Sequence, residues 1–263
     1  MSRYLVTGAA GGMGRTLIRT LISKGNEVWG IDRKEMKPET GFYPHTADLC
    51  CINEVEKAFN RIQTETDGFD AIIHMAGIYD LNSLAEMPEE DFVRDFDVNL
   101  FAAYRINRVF VSMLNKGGRI IMITSELAPL NPLPFTGIYA ITKTALDRYA
   151  AALRMELQLL GIRVIVIRPG AVKTEMIPES CRKLEDFCAK TKMYQTNAER
   201  FRRIVNRVEA RSTGPEKITR IVEKSMKSRY PRLVYRINRN PLLLLLNTLP
   251  DRLQLMIVRR ILT

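Results

Sequence analysis

Apolar residues along this chain recur with two periods, and the two alternate. Short apolar runs such as Tyr4-Leu5-Val6 and Val28-Trp29 read as strands, whereas Leu17, Ile18, Leu21 and Ile22 fall three and four apart on one helical face. The pattern predicts strands near residues 3–7, 27–31, 43–47, 69–74, 118–124, 162–167 and 231–235. Helices are predicted near 12–24, 52–66, 88–114, 138–160 and 214–227. Strands that alternate with helices build a parallel sheet covered on both faces, so the expected fold class is α/β, a doubly wound parallel sheet of about seven strands. With 263 residues, no internal repeat and no Ser/Gly/Pro-rich divider, the chain reads as one domain spanning 1–263.

The first strand runs into Thr7-Gly8-Ala9-Ala10-Gly11-Gly12-Met13-Gly14 and then into a helix. Glycines let a backbone approach a pyrophosphate closely, and the free N–H groups of a helix start favour its charge. The spacing of Gly8, Gly12 and Gly14 is wider than G-x-G-x-x-G, and alone it also suits a tight turn that holds no ligand. The second strand ends at Asp32, eighteen residues after Gly14. A carboxylate there can accept both hydroxyls of an adenosine ribose and repel a 2′-phosphate, which favours NAD over NADP. Arg33 and Lys34 follow immediately and could hold a phosphate, so NADP and a plain polar turn both stay open.

Further along, Ser125 precedes Tyr139-Ala140-Ile141-Thr142-Lys143 by fourteen positions. Tyr139 and Lys143 are four apart and share a helix face. A phenol, an ammonium and a hydroxyl are what carbonyl/alcohol interconversion needs without a metal. A free tyrosine titrates near pH 10, too high for a base at neutral pH unless positive charge stabilises the phenolate. Lys143 and an oxidised nicotinamide would both supply that charge. Tyr139 is then expected to remove the hydroxyl proton while hydride leaves the same carbon, with Ser125 holding the substrate oxygen.

Taken in order, these segments resemble the short-chain dehydrogenase/reductase family over nearly the whole chain. Thr7-Gly8-x-x-x-Gly12-Met13-Gly14 is similar to the family's cofactor loop, Asp48-Leu49 to its adenine-contacting dipeptide, and Ala76-Gly77 to the end of its Asn-Asn-Ala-Gly segment. Asn99 resembles its helix asparagine, and Ser125, Tyr139 and Lys143 its catalytic trio. Pro169, Gly170, Val172 and Thr174 lie in a stretch similar to its nicotinamide-side loop. His74-Met75 stand where the family usually has two asparagines. The resemblance implies a Rossmann-type fold and a nicotinamide cofactor. It gives Lys143 a second task on the nicotinamide ribose, and it makes Asn99 the holder of a water near Lys143. A polar residue that satisfies backbone inside a long helix is the other reading of Asn99. It also implies a variable substrate lid near 175–210, and a homodimer or homotetramer joined through the helices near 97–114 and 138–160.

Charge is unevenly placed. Residues 200–263 hold sixteen lysines and arginines against four carboxylates, net +12, which leaves residues 1–199 at −1. Within the basic tail, from about 236 to 263, Pro241-Leu242-Leu243-Leu244-Leu245-Leu246 precedes a segment with Leu253, Met256, Ile257 and Ile261 at helical spacing. The run is too short to span a bilayer. It suits a cap over the substrate cleft or a subunit interface, and, with Arg236, Arg239, Arg252, Arg259 and Arg260, an anchor on anionic lipid. A nucleic-acid partner is disfavoured, because no binding motif accompanies the charge. Cys50, Cys51, Cys181 and Cys188 show neither a metal spacing nor a disulfide framework, and no signal peptide precedes the first strand, so a cytoplasmic location is expected. Two histidines, His45 and His74, argue against a metal site or a His-based triad, and His74 is read as a packing residue.

The expected function is hydride transfer between NAD and a secondary alcohol or ketone. The stretch Leu127-Ala128-Pro129-Leu130-Asn131-Pro132-Leu133-Pro134-Phe135 is apolar and stiffened by three prolines, which suits a hydrophobic pocket wall. The long apolar tail resembles hydroxysteroid and retinol dehydrogenases, so a hydroxysteroid or related lipid alcohol is expected as substrate. Two rivals stay open. One is a 3-oxoacyl-thioester reductase whose basic tail docks an acidic carrier. The other is a non-catalytic nicotinamide sensor or scaffold, since a fold can outlive its chemistry.

Overall fold

The computed structural model describes residues 1–173, 176–209 and 212–263. Seven strands form one parallel sheet in the order β3-β2-β1-β4-β5-β6-β7: β1 Arg3–Thr7, β2 Glu27–Asp32, β3 Phe42–Thr46, β4 Phe69–His74, β5 Leu114–Ile123, β6 Arg163–Pro169 and β7 Val234–Ile237. Helices α1 Gly12–Ile22 and α8 Pro215–Lys227 cover one face, and α2 Ile52–Ile62, α4 Ala102–Phe110 and α5 Gly137–Leu157 cover the other. The expected doubly wound architecture is the one observed.

The two apolar patterns place the elements. Strands buried on both faces read as continuous apolar runs, as in Ile120-Ile121-Met122-Ile123 of β5 and Val164-Ile165-Val166-Ile167 of β6, all nearly fully buried. In α1 the buried side chains Leu17, Ile18 and Leu21 return every three or four residues and pack with Ile218 and Val222 of α8. Burying each such side chain contributes roughly 1.5–3 kcal/mol.

Several boundaries differ from the sequence expectation. The helix expected over 88–114 is α3 Glu89–Phe96, a π-turn Asp97–Phe101, then α4 and a 3₁₀ turn Val111–Met113. The wider turn falls where Asn99 faces inward with a buried polar side chain. Strand β5 begins at Leu114, before its apolar run, because the exposed Asn115, Lys116 and Gly117 extend it without any apolar signal. Strand β7 lies at Val234–Ile237, a little later than expected, with Tyr235 and Ile237 turned into the core. The stretch expected only as a lid carries two helices, α6 Met176–Lys190 and α7 Gln195–Glu209, and the tail carries α9 Pro241–Leu246 and α10 Asp251–Leu262.

Sheet order reverses direction between β1 and β4, and ligands of doubly wound sheets bind in the crevice opened at such a point, beyond the carboxyl ends of the strands. His74 closes β4 there, fully enclosed, with Nε2 2.8 Å from Asn107 Oδ1. The Asn107 amide donates in turn to the Tyr149 hydroxyl at 3.2 Å. His74 therefore serves as a buried polar tie between β4, α4 and α5. Burial lowers its pKa to about 4, more than the Asn107 hydrogen bond raises it. A histidine held neutral in the fold and free to charge when unfolded stabilises at pH above its unfolded value, and that stability is lost as pH falls from about 6.5 toward 4. Replacing His74→Asn should flatten the fall of the unfolding free energy between pH 7 and pH 4 relative to the parent, by up to about 3 kcal/mol as read by denaturant titration at each pH; parallel pH curves for the two proteins would contradict the assignment.

Candidate active site

Two cavities meet beyond the carboxyl ends of β1, β4, β5 and β6. The first, about 1150 Å³, is lined by the loop Gly8–Gly14, the end of β2 and the segment after β4. Close backbone approach shapes it. Gly8 has φ +67°, and a Cβ there would sit 2.6 Å from the Ala76 nitrogen; one at Gly14 would sit 2.2 Å from the Gly8 carbonyl oxygen. Only glycine permits these contacts. The loop ends at the N-terminus of the eleven-residue α1, where Gly12, Met13 and Gly14 line the cavity. Free N–H groups at a helix start, open space and missing side chains together fit a nucleotide pyrophosphate.

Asp32 reaches the same cavity from the end of β2. Its Oδ2 accepts from the Ala10 N–H at 3.0 Å and its Oδ1 from the Lys34 N–H at 3.0 Å, so it also braces the glycine loop. Arg33 and Lys34 line the wall beside it. Asp48 and Leu49 line the same cavity, and Asp48 Oδ1 accepts from the Cys50 N–H at 2.9 Å. Ala76 and Gly77 form the floor. Thr7 departs from the expectation: as the last residue of β1, paired between β2 and β4, it is 1% exposed and lies off both cavity walls.

The second cavity, about 570 Å³, holds Ser125, Tyr139 and Lys143 at its inner end, beside Pro169, Gly170 and Val172. Thr174 lies outside the described residues. Ser125 follows the end of β5, and its hydroxyl is hydrogen-bonded to the Tyr139 phenol. Lys143, one helical turn along α5, is buried, with its Nζ 3.4 Å from the Ile123 carbonyl oxygen and 5.8 Å from the Tyr139 ring centre. Burial pushes the Tyr139 pKa up to about 12; the Ser125 hydrogen bond works against this and the charge of Glu126 adds to it. Burial likewise brings Lys143 down to about 8.

Asn99 touches neither cavity wall, being 1% exposed. Its Oδ1 accepts from the Ile78 N–H at 2.8 Å, and its Nδ2 donates to the Ile78 carbonyl at 3.0 Å and the Thr142 hydroxyl at 3.1 Å. It thus satisfies irregular backbone after β4 and ties it to α5. It is also near Lys143: a Cβ added to Gly77 would lie 3.0 Å from Lys143 Nζ and 3.1 Å from Asn99 Oδ1.

Other contacts had no sequence signal. Tyr79 meets the Tyr139 ring edge-to-face with centroids 4.6 Å apart. Arg168 of β6 clasps Asp147 of α5 through two hydrogen bonds, Nε to Oδ1 at 2.9 Å and Nη2 to Oδ2 at 2.6 Å, which fixes the helix that carries Tyr139 and Lys143. Lys183 of α6 pairs with Asp80 at 2.8 Å and pins that helix to the segment after β4. These pairs join residues far apart in sequence, and spacing along the chain cannot show them.

Apolar side chains wall the second cavity, including Leu127, Leu133, Phe201, Val205, Leu243 and Ile257. The tail is stitched over it: Asn131 N–H donates to Asn247 Oδ1 at 2.7 Å, and Asn197 Nδ2 to the Leu262 carbonyl at 2.7 Å. Leu242 and Leu245 line its mouth while being 67% and 63% exposed. Among the described residues no group of three His, Cys, Asp or Glu side chains could hold a metal ion.

The short chain dehydrogenase family model matches residues 3–185. An uncharacterized short-chain type dehydrogenase/reductase of Sinorhizobium fredii is 30% identical over 207 residues, 75% of this chain and 80% of that protein. The 3-ketodihydrosphingosine reductase of Bacteroides thetaiotaomicron is 24% identical over 229 residues, 86% of this chain and 84% of its own. Among solved structures, a short chain dehydrogenase from Burkholderia cenocepacia in complex with NADP superposes with a TM-score of 0.75, at 22% identity, covering 100% of this chain and 98% of that one.

Proposed function

We propose that this chain, which belongs to the short chain dehydrogenase family, transfers hydride between a bound nicotinamide and a secondary alcohol or ketone on an apolar substrate, a hydroxysteroid or related lipid alcohol. The observation that carries the reading is the placement of Ser125, Tyr139 and Lys143 together where the nucleotide cleft meets an apolar cavity of about 570 Å³. That volume and lining suit a lipid-sized ligand. The resemblance to a reductase of a sphingoid ketone supports a lipid substrate. We assign the whole described chain to one domain, with the helices of 175–210 as its lid and the tail from 236 as its cap.

A nicotinamide in the cleft would supply the hydride acceptor in oxidation and the donor in reduction. The glycine loop and the start of α1 would hold its pyrophosphate, Asp32 its adenosine ribose, and Pro169, Gly170 and Val172 its nicotinamide end. Ser125 holds the substrate oxygen against the Tyr139 phenol. Tyr139 takes the hydroxyl proton in oxidation and gives it back in reduction. With a phenol pKa pushed up to about 12, proton removal depends on positive charge brought close, and Lys143 is the side chain placed to supply it. Asn99 positions the Ile78 backbone beside Lys143, and the walls of leucine and valine keep water from the reacting carbon.

Replacing Tyr139→Phe removes only the ionisable oxygen. Turnover should fall by about 10² to 10⁴, the usual worth of acid/base help, while nucleotide binding by calorimetry is kept. In the parent, kcat/KM for oxidation should rise with pH through neutrality. Activity of the variant within a factor of two of the parent, with the same pH profile, would remove Tyr139 from the mechanism.

NAD is proposed as the preferred nucleotide because Asp32 would meet the 2′-phosphate of NADP with like charge in a partly enclosed site. Changing Asp32→Ala should shift kcat/KM toward NADP by at least about 1 kcal/mol, since Arg33 and Lys34 already line the wall there. A parent that already prefers NADP would show that those two cations outweigh Asp32.

The outer faces of the helices suggest two partners. Phe101, Tyr104 and Ile141 are exposed on the π-turn, α4 and α5, and we assign this face to a homodimer or homotetramer contact. On the tail, Leu245, Leu255 and Met256 are exposed near Arg252, Arg259 and Arg260, a composition that suits the surface of an anionic membrane. No helix among the described residues is long and apolar enough to cross one. Sedimentation at micromolar concentration should give a dimer or tetramer. Co-sedimentation with phosphatidylserine vesicles should exceed that with phosphatidylcholine and weaken with salt. A monomer would overturn the first assignment, and equal recovery with both vesicles the second.

A further inference from the structure

We propose that Glu126 selects substrates that carry an ammonium group beside the reacting alcohol or ketone, so that the site takes an apolar amino alcohol or amino ketone. The proposal rests on the hydride-transfer reading and names the substrate class of that same site. Glu126 follows Ser125 directly, lines the apolar cavity and is 9% exposed. It is the sole carboxylate among the described residues of that wall, and Lys143 is the sole other charged side chain there. Its Oε2 accepts from the Asn240 N–H at 2.8 Å. Space for its Oε1 exists because Gly170 has no side chain: a Cβ there would come within 2.8 Å of it.

A carboxylate in an apolar wall is costly unless donors or opposite charge meet it, and a single backbone N–H serves only part of its capacity. Burial raises the pKa of Glu126, against the lowering by the Asn240 N–H and by Arg239. Its negative charge also reaches Tyr139, where it makes the phenolate harder to form. For a neutral alcohol that is a handicap at the centre of the site. An ammonium bound against Glu126 cancels the handicap: the ion pair neutralises the charge facing Tyr139, and the apolar cavity receives the remaining chain. Glu126 lines the same cavity as Ser125 and Tyr139 and its charge reaches the Tyr139 phenol, so an ammonium paired with it sits on the wall that carries the reacting groups. The same carboxylate also braces the start of α9 through Asn240, and a purely structural brace would act on every substrate alike.

The test compares a twelve-carbon secondary alcohol with its counterpart bearing an amine on the adjacent carbon, in the parent and in Glu126→Gln, which keeps the shape and the acceptor for Asn240. The parent should favour the amine by at least about tenfold in kcat/KM, as expected of a charge-assisted contact, and the variant should lose that preference. Calorimetric binding of dodecylamine against dodecanol to both proteins reads the same contact without turnover, so failure of hydride transfer and failure of this proposal are distinguishable. Tenfold tighter amine binding in the parent, lost in the variant, supports it. Equal binding of amine and alcohol by the parent, or an equal loss for both ligands in the variant, overturns it.

Discussion

The chain leaving β1 and the chain leaving β4 approach each other closely, and both cavities open at that contact. At Gly8 the chain leaves β1 with φ +67° and passes so near Ala76 that no side chain fits between them. That contact brings the glycine loop, the start of α1 and the segment after β4 to one crevice, at the point where sheet order reverses. It bounds the first cavity, and it places Gly77 beside Lys143 and Ile78 on Asn99. The two cavities thereby share Met13, Met75, Gly77, Ile78 and Tyr79 as a common wall.

The reacting groups depend on a second restraint from the other side of the sheet. Tyr139 and Lys143 ride on α5, and the bidentate Arg168–Asp147 pair ties that helix to β6 while Thr124 donates to the same carboxylate at 3.3 Å. Rigid placement matters because both groups are displaced from their ordinary ionisation by burial: phenol upward, ammonium downward. In an enclosed site charges act more strongly on each other than in water, so small changes of position would alter the proton balance considerably. Glu126, on the same wall, makes that balance depend on what the substrate carries.

Much of this was legible in the sequence, for physical reasons that can be named. Continuous apolar runs marked the buried strands, and Gly8, Gly12 and Gly14 marked backbone that must come close to something. Tyr139 and Lys143 could be placed on one face because helical periodicity fixes it. Thr7 illustrates the limit: it belongs to the recognised loop pattern, yet it is buried at the end of β1 and lines neither cavity. Asn99 and Glu126 illustrate another. Their partners, Ile78 and Asn240, are 21 and 114 residues away, and only the folded chain brings them together. Helices α6 and α7 gave no signal because their apolar residues answer to each other and to Phe135, a small separate core, rather than to the sheet.

Hydride transfer at this site leaves its mark on the fate of a single hydrogen. Purified protein would be incubated with NAD and a lipid secondary alcohol deuterated at the carbinol carbon, and the reduced nucleotide and ketone recovered. Hydride transfer predicts one deuterium in the reduced nicotinamide for each ketone formed, with slower turnover than for the unlabelled alcohol. Tight nucleotide binding with no reduced nucleotide across steroid, retinoid, amino alcohol and acyl thioester substrates would contradict it, and would make the chain a nicotinamide-binding scaffold.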